Sequence, residues 1–360
     1  MNRDFLSTPQ QLNKRLKIGI VTEQLRRRVP GGIGTYIQGL IKGLGETGSQ
    51  IDVTEIHGIE RIDPKLISKM WDIGLNLGAC NTAKTNPLDL CHATSLQIPP
   101  IKVKNLTVMV HDVAWRNVPD AFPKRGRNWH DRALGKVAKS KAQIIVPSEK
   151  TREGLIEAGF SNERIKIIKE GADHLPPPNH EKATELLERH GVWGPYLLTV
   201  STMEPRKNLE RLIKAFISIR RKLPEPWPLV VAGPVGWGER LPPFPGVVLL
   251  GAPSLEVLSA LYERSRLLAY VPLIEGFGLP AVEAMFAKVP TVVSDIPSVE
   301  GHGLQVDPLD IDSIGEALYR ASTDDLVRAN LIDEGYKYIS DLTWKRAAQG
   351  HLDLWMEIIG

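Results

Sequence analysis

The sequence predicts an α/β protein made of two similar units. Short apolar runs typical of buried strands alternate with stretches of helical periodicity, which is the pattern of a mostly parallel sheet covered on both faces. This alternation stops at a proline-rich segment between Gly171 and Lys182 and then begins again. The 360 residues are enough for two ordinary domains. We therefore expect two α/β/α domains that face a central cleft.

The first unit is predicted to be of the Rossmann-like type. Its buried strands are expected at residues 16–21, 51–56, 106–110, 143–146 and 165–168. Helical periodicity covers residues 35–44, 126–139 and 151–158. We predict that this domain comprises residues 1–175.

The second unit, residues 176–342, repeats the same pattern. Strands are predicted at residues 196–200, 229–232, 247–250, 267–271 and 291–293, with helices at 209–221, 255–265, 279–288 and 311–321. Residues 344–359 form a final amphipathic pattern, which predicts a closing helix.

The composition predicts a cytoplasmic protein without a membrane span. Hydrophobic residues make up 42% and charged residues 24% of the chain. No apolar run approaches the ~18 residues of a spanning helix, and residues 1–15 lack a signal-type apolar stretch. The two cysteines, Cys80 and Cys91, have no metal-type spacing and are expected to be reduced thiols.

The net charge of +3 hides an asymmetry between the two units. Residues 1–175 contain 27 Lys and Arg against 18 Asp and Glu, whereas the remainder contains 18 against 24. A basic half suits nucleic acid, an anionic membrane or a phosphorylated acceptor, and no nucleic-acid motif accompanies it. The clusters at 26–28 and 124–127, with Trp115, Phe122 and Trp129 near the second, suit lipid headgroups at the inner face of a membrane. An ordinary solvated face is the alternative.

A glycine-rich turn after the predicted strand 267–271 is the best candidate for a ligand site. It leads from Glu275 into a helix with Pro280 in its first turn, and the free N–H groups of a helix start favour an anion such as phosphate. Glu275 precedes the helix and Glu283 lies roughly 6 Å along it, so a diphosphate there would have one carboxylate towards each substituent. Carboxylates accept hydrogen bonds from paired hydroxyls. A solvated helix residue and a plain turn residue are the alternative.

Two further groups follow predicted strands. Arg206 and Lys207 come after the first strand of the second unit and could neutralise a diphosphate, with Asn208 capping the next helix. His111 and Asp112 follow strand 106–110, at the sheet edge where open α/β sheets bind ligands. An isolated cation pair or histidine is more often a surface or structural feature.

A glycine loop also follows the first strand. Gly31, Gly32 and Gly34 lead into the helix 35–44, but Ile37 occupies the place of the last glycine in a dinucleotide fingerprint. An NAD-linked oxidoreductase is therefore the least favoured function.

Two motifs resemble the retaining glycosyltransferases of family 4. The segment Glu275 to Glu283 is similar to the family's E-x7-E motif in the form E-G-F-G-L-P-x-x-E, and residues 204–209 read E-P-R-K-N-L, as in a subgroup that assembles surface polysaccharides. The resemblance implies the GT-B fold, with a nucleotide-sugar in the second domain and the acceptor in the first. It also implies that the helix 343–360 packs back on the first domain.

The resemblance also implies roles for single residues. His111 would contact the transferred sugar rather than act as a base, and Gly233 would lie beside the nucleotide base. Asp112 and the loop Gly31, Gly32 and Gly34 would form the acceptor side. The loop before Val306 is shorter than in the family, which leaves the role of Glu300 open. The donor would be bound by Arg206, Lys207, Gly233, Glu275, Gly276, Phe277, Gly278, Leu279 and Glu283, with His111, Arg206, Lys207 and Glu275 serving catalysis.

The expected activity is retaining transfer of a hexose from a nucleotide-diphosphate sugar to a glycan or lipid-linked saccharide. GDP-mannose is the first candidate, followed by UDP- and dTDP-sugars. Arg206, Lys207 and the helix N–H groups would stabilise the departing diphosphate, so neither a metal nor another cofactor is expected. The alternatives are a GT-B epimerase or phosphorylase, which needs no acceptor glycan, and a non-catalytic nucleotide-sugar sensor.

Overall fold

A computed structural model describes residues 15–78, 87–237 and 242–360. These residues form two six-stranded parallel sheets, each covered by helices, as the sequence predicts. Cys80 and nearly all of the polar N-terminal stretch lie outside the described residues.

The first sheet has the strand order β2-β1-β3-β4-β5-β6. Its strands are Leu16–Val21 (β1), Ile51–Ile56 (β2), Leu90–Ala93 (β3), Leu106–Met109 (β4), Gln143–Val146 (β5) and Ile165–Ile167 (β6). The sequence reasoning missed β3, which has only four residues and carries the polar His92 although every position is buried. A strand this short, with a polar residue inside it, has no readable apolar period.

The helices of the first domain begin earlier than predicted. They are Gly31–Glu46 (α1), Pro64–Asp72 (α2), Ala114–Asn117 (α3), Lys124–Lys139 (α4) and Glu149–Glu157 (α5). The prediction of a glycine loop at residues 31–34 is therefore wrong, because these glycines form the first turn of α1. Glycine's low helix propensity concealed the true start of the helix.

The second sheet has the order β12-β11-β10-β7-β8-β9. Its strands are Leu197–Val200 (β7), Leu229–Ala232 (β8), Val247–Gly251 (β9), Leu267–Tyr270 (β10), Thr291–Val293 (β11) and Leu304–Gln305 (β12). The helices around it are His180–Arg189 (α6), Leu209–Arg220 (α7), Leu255–Arg264 (α8), Leu279–Phe286 (α9), Ile311–Thr323 (α10) and Asp325–Ile339 (α11). Helix α6 starts inside the proline-rich segment, because Asn179 caps it by accepting a hydrogen bond from the Lys182 N–H.

The last helix, Trp344–Ile359 (α12), packs on the first domain. Trp344 and Trp355 are fully buried in one cluster with Tyr36 of α1 and residues of the first sheet. Burial lowers the pKa of His351 to about 4, so its ring is neutral at pH 7. The Nδ1 of His351 donates to the Ala347 carbonyl, which leaves Nε2 to accept from the Tyr36 hydroxyl at 2.8 Å.

Helix α1 approaches α12 closely because Gly43 has no side chain. A Cβ at Gly43 would overlap the carbonyl oxygen of Trp344, whereas Gly45 in the same helix faces open space. We expect Gly43→Ala to lower the free energy of unfolding by about 1–3 kcal/mol through overpacking. Gly45→Ala is the matched control and should raise it by about 0.5–1 kcal/mol. Urea titrations of both variants test this, and equal midpoints would contradict the close approach.

Candidate functional site

The turn after β10 delivers the start of α9 to the cleft. Gly278 has a φ of 99°, a conformation that favours glycine, and helix α9 starts at the next residue. No side chain caps this helix start. Pro280 has no N–H and the Ala281 N–H donates to the Gly278 carbonyl at 3.1 Å, so the Leu279 N–H is the group of this first turn that is left for an anion. A Cβ at Gly32, in the first turn of α1, would lie 3.9 Å from Cδ1 of Leu279. The starts of α1 and α9 therefore face each other across the cleft.

Glu275 lies buried between the two predicted cations. Its carboxylate accepts hydrogen bonds from the Tyr270 hydroxyl at 2.7 Å and from Lys207 Nζ, and it pairs with Arg206 Nη1 at 2.9 Å. Burial alone would raise the pKa of Glu275, but the charges of Arg206 and Lys207 and the hydrogen bonds from Lys207 and Tyr270 lower it to about 2. The structure thus brings Arg206 and Lys207 to the turn at the start of α9.

Glu204 completes this cluster, and no sequence reasoning assigned it a role. Its Oε1 lies 2.7 Å from Arg206 Nη2, and it is 6% exposed. Burial raises the pKa of Glu204 despite the nearby Arg206 and Lys207. Burial lowers the pKa of Lys207, and the charge of Arg206 lowers it further, although Glu275 opposes this. The sequence feature that could have indicated Glu204 is its place as the first residue of the E-P-R-K-N-L segment.

Asn208 does not cap helix α7 as predicted. It has a left-handed backbone with a φ of 60°, and its side chain makes no capping bond. Its amide instead donates to the carbonyls of Val271 at 3.0 Å and Pro308 at 2.7 Å. Asn208 therefore ties the turn that carries the two cations to the end of β10.

Glu283 is buried rather than solvated. It is 6% exposed, and its carboxylate accepts hydrogen bonds from the Tyr262 hydroxyl at 2.6 Å and from His174 Nε2 at 3.0 Å. A carboxylate offers about four acceptor positions, so it retains capacity for two hydroxyls of a ligand. The plain reading of Glu283 as a solvated helix residue is wrong, while its role in ligand binding stays a prediction.

Two other residues of the predicted donor site have mainly structural contacts. Phe277 is 5% exposed and packs in the core of the second domain, so that its backbone alone is left to face a ligand. Gly233 has a φ of 146°, and a Cβ there would overlap the backbone of Ser201. Both positions are constrained by packing.

The two domains meet directly at Gly276. A Cβ at this position would overlap the carbonyl oxygen of His111, and the Ser148 hydroxyl donates to the Gly276 carbonyl at 2.5 Å. Asp112 lies beside this contact, where its Oδ1 accepts a hydrogen bond from the Ala114 N–H at 3.0 Å. A cavity of about 210 Å³ adjoins the contact and is lined by Asp112, Lys150 and Glu275 among others.

Ion pairs join the domains on either side of this contact. Lys150 pairs with Asp295 at 3.0 Å, and Lys169 of the first domain pairs with Glu300. Glu300 has a φ of 46°, which is unusual for a residue with a side chain. Glu300, whose role the sequence left open, thus takes part in the contacts between the domains in this structure.

Of the aromatic residues near the basic cluster, Trp115 is buried and Phe122 and Trp129 are partly buried, whereas membrane contact stays a prediction. Trp115 is 3% exposed, and its indole N–H donates to Asp131 at 2.9 Å. The indole N–H of Trp129 donates to Asp72 at 2.8 Å, and the Phe122 ring contacts Trp237 of the second domain. Their apolar surface is used in the fold, so any membrane contact here rests on exposed cations such as Lys124 and Arg125. In the described ranges, no helix is both long and apolar enough to cross a bilayer.

Among the described side chains, no group of three or more His, Cys, Asp or Glu is arranged to hold a metal ion. The expectation of metal independence stays a prediction. Arg206 and Lys207 pair with Glu204 and Glu275 in this structure, and their role towards a diphosphate stays a prediction.

The sequence of the chain is similar to those of known glycosyl transferases. Residues 190–338 match the family model "Glycosyl transferases group 1". O-antigen chain mannosyltransferase B of Escherichia coli is 28% identical over 370 residues, which cover 92% of this chain and 97% of that protein. The serotype-specific mannosyltransferase WbdA of Escherichia coli is 28% identical over 182 residues, which cover 47% of this chain and 22% of that protein.

Solved structures share the architecture at low identity. Anabaena HepE in complex with UDP and glucose has a TM-score of 0.68 at 16% identity, covering 95% of this chain and 100% of that one. The two six-stranded parallel sheets of this chain superpose on that structure over nearly their whole length. The chain therefore has the GT-B fold, and its second domain carries the sequence pattern of the group 1 glycosyl transferases.

Proposed function

We propose that the chain is a retaining mannosyltransferase of surface-polysaccharide assembly, with GDP-mannose as donor and a glycan or lipid-linked saccharide as acceptor. The observation that carries this proposal is the buried cluster of Arg206, Lys207 and Glu275 at the uncapped start of α9. The similarity to O-antigen chain mannosyltransferase B over nearly the whole chain supports the sugar and the pathway class.

The chemistry follows from the charges at this site. The bond between the anomeric carbon and the diphosphate oxygen breaks, and the acceptor oxygen forms a new bond to that carbon on the same face. The departing phosphate oxygen takes the acceptor's proton, so the protein does not need to supply a base. Arg206, Lys207 and the Leu279 N–H at the start of α9 stabilise the charge that develops on the diphosphate. These groups do the work that a divalent metal does at other diphosphate sites.

The donor and acceptor are assigned to opposite walls of the cleft. Glu275 and Glu283, on either side of the start of α9, bind hydroxyls of the sugar and the ribose. Asp112 and the first turn of α1 face that helix start and contact the acceptor. A lipid-linked acceptor would keep the enzyme at the inner face of the membrane, held by exposed cations such as Lys124 and Arg125.

The test combines ligand binding with turnover. We expect GDP and GDP-mannose to raise the melting temperature of the protein more than UDP- or dTDP-sugars, because a ligand that binds the native state stabilises it by mass action. GDP should be released only when a saccharide acceptor is present, and the product should keep the anomeric configuration of the donor.

Three outcomes would contradict parts of this proposal. A sugar isomerised or phosphorolysed without an acceptor would indicate an epimerase or phosphorylase. Donor binding without any GDP release across a panel of acceptors would indicate a sensor. Stronger stabilisation by UDP-glucose than by GDP-mannose would replace the donor while leaving the reaction class in place.

A further inference from the structure

Both ring nitrogens of the cleft histidine are engaged. His111 Nε2 lies 3.0 Å from the carbonyl oxygen of Thr94, and Nδ1 lies 3.1 Å from Oε1 of Glu170. A carbonyl oxygen can only accept a hydrogen bond, so Nε2 must carry a proton. An ionised carboxylate also only accepts, so Nδ1 carries a second proton. Opposite an ionised Glu170, the ring is therefore an imidazolium.

Glu170 is a buried carboxylate that no sequence pattern singled out. It is 4% exposed and lies just after β6, on the segment that leads into the second domain. His111 is the side chain that pairs with it in the described part of the chain. A buried charge is tolerated when a partner compensates it, and the Glu170 carboxylate stabilises the charged form of His111.

The other groups around the ring favour the same state. Tyr36 of α1 packs edge-on against it, with ring centroids 5.0 Å apart, and Asp112 adds a second negative charge. Burial would lower the pKa of His111, but the hydrogen bond and charge of Glu170, the Thr94 carbonyl and Asp112 together raise it. His92 of β3 stays neutral, because burial and the nearby His351 and His111 lower its pKa.

The pair lies behind the contact between the domains. The carbonyl oxygen of His111 faces Gly276, and the hydroxyl of Thr151 on α5 lies 3.3 Å from that oxygen. The backbone of Gly276, in the second domain, therefore packs against the backbone of His111. A rotation of the imidazole would break both of its hydrogen bonds at once, so Glu170 fixes the ring as well as its charge.

We propose that Glu170 is a positioning residue of the cleft, which orients His111 and holds it as an imidazolium beside the Glu275–Gly278 turn. This inference rests on the proposed function for its catalytic meaning. A doubly protonated ring cannot act as a general base. It instead places a fixed positive charge on the first-domain wall, where negative charge develops on the departing diphosphate.

The direction of the pH effect follows from the sign of the shift. The pKa of His111 is raised above its ordinary value of 6.5, so the pair's contribution to stability is complete below 6.5 and is lost as the pH rises through the raised pKa. Turnover should fall over the same alkaline range. Without the Glu170 carboxylate, that fall should move to lower pH.

The test is a histidine titration of the intact, ligand-free chain by NMR with 13C-labelled imidazole carbons. His111→Gln identifies the signal, and Glu170→Gln is compared with Glu163→Gln, which removes an exposed carboxylate from the same region. We expect the wild-type and Glu163→Gln signals to titrate above 6.5, and Glu170→Gln to lower the midpoint by about one unit or more. The alkaline limb of the kcat/KM profile, which reports ionisations of the free enzyme, should shift by the same amount.

A wild-type midpoint at or below 6.5, or the same midpoint in Glu170→Gln, would overturn the proposal. If Glu170→Gln does not fold, Glu170→Asp takes its place, since the shortened carboxylate weakens the hydrogen bond and should lower the midpoint. Because the titration needs no substrate, its result is independent of the transferase assay. If the titration gives the expected result but the protein transfers no sugar, the proposed function is refuted and the ion pair between Glu170 and His111 remains established.

Discussion

Gly276→Ala should reduce kcat/KM by about 10²-fold while both domains stay folded. The added Cβ would overlap the carbonyl oxygen of His111, so the second domain cannot come as close to the first as it does here. The Ser148 hydroxyl would then also lose the Gly276 carbonyl, which it contacts at 2.5 Å. Displacing reacting groups by about 1 Å costs on the order of 10²-fold in rate, and this backbone contact allows little adjustment.

The measurement separates an effect on the contact between the domains from effects on ligand binding and folding. Steady-state kinetics should show the loss in kcat, whereas GDP binding by calorimetry should change less than about threefold, because the cations of the donor site are untouched. Gly135→Ala is the matched control, since Gly135 on α4 has open space around its Cβ position and should tolerate the change. Full activity of Gly276→Ala would contradict this prediction, because it would show that the reaction does not need the close contact between Gly276 and His111.

The sequence predicted the sheets well where strands are regular and apolar. Strands β1, β5, β8 and β11 have the predicted ends, because each is a mostly buried run whose composition favours strand regardless of its neighbours. Strand β2 also has its predicted ends, although most of its positions are only partly buried or exposed. The failures have tertiary causes. Strand β3 carries His92, whose polarity is satisfied by Tyr36 and Thr107, and these lie on other elements. Such partners cannot be read from a local window.

The candidate site shows the same division. The resemblance of residues 204–209 and 275–283 to known motifs located the cations and carboxylates that the structure brings together. It did not indicate that Glu204 and Glu275 already neutralise both cations before a ligand binds. Nor did it indicate Glu170, which lies 59 positions from His111 and meets it only because β4, β5 and β6 are neighbours in the sheet.

Lys207→Met should lower kcat by about 10²–10³-fold, the loss found when one preorganised donor to a developing oxyanion is removed. Lys207 is 12% exposed and held by Glu275 and by the Tyr270 hydroxyl at 2.9 Å, so its ammonium is already oriented before the diphosphate arrives. Methionine keeps much of the apolar stem and removes the charge. The paired carboxylate retains Arg206 and Tyr270, so the protein should still fold.

Lys214→Met is the control for that substitution, because it also removes a lysine with a glutamate partner, Glu210, but both lie exposed on helix α7. Exposed pairs contribute at most about 1 kcal/mol, so its kinetics and melting temperature should stay near those of the wild type.

The ion pair at Glu275 also makes the stability of the protein depend on pH in the acid range. The pKa of Glu275 is lowered to about 2, so the stability it contributes is present above its ordinary value of 4.5 and is lost as the pH falls towards 2. Lys207→Met should flatten this acid limb in a pH series of urea titrations, whereas Lys214→Met should leave it in place. A variant that loses the acid limb but keeps its turnover would show that Lys207 stabilises the fold without serving the diphosphate, and would remove the electrostatic basis of the proposed transfer reaction.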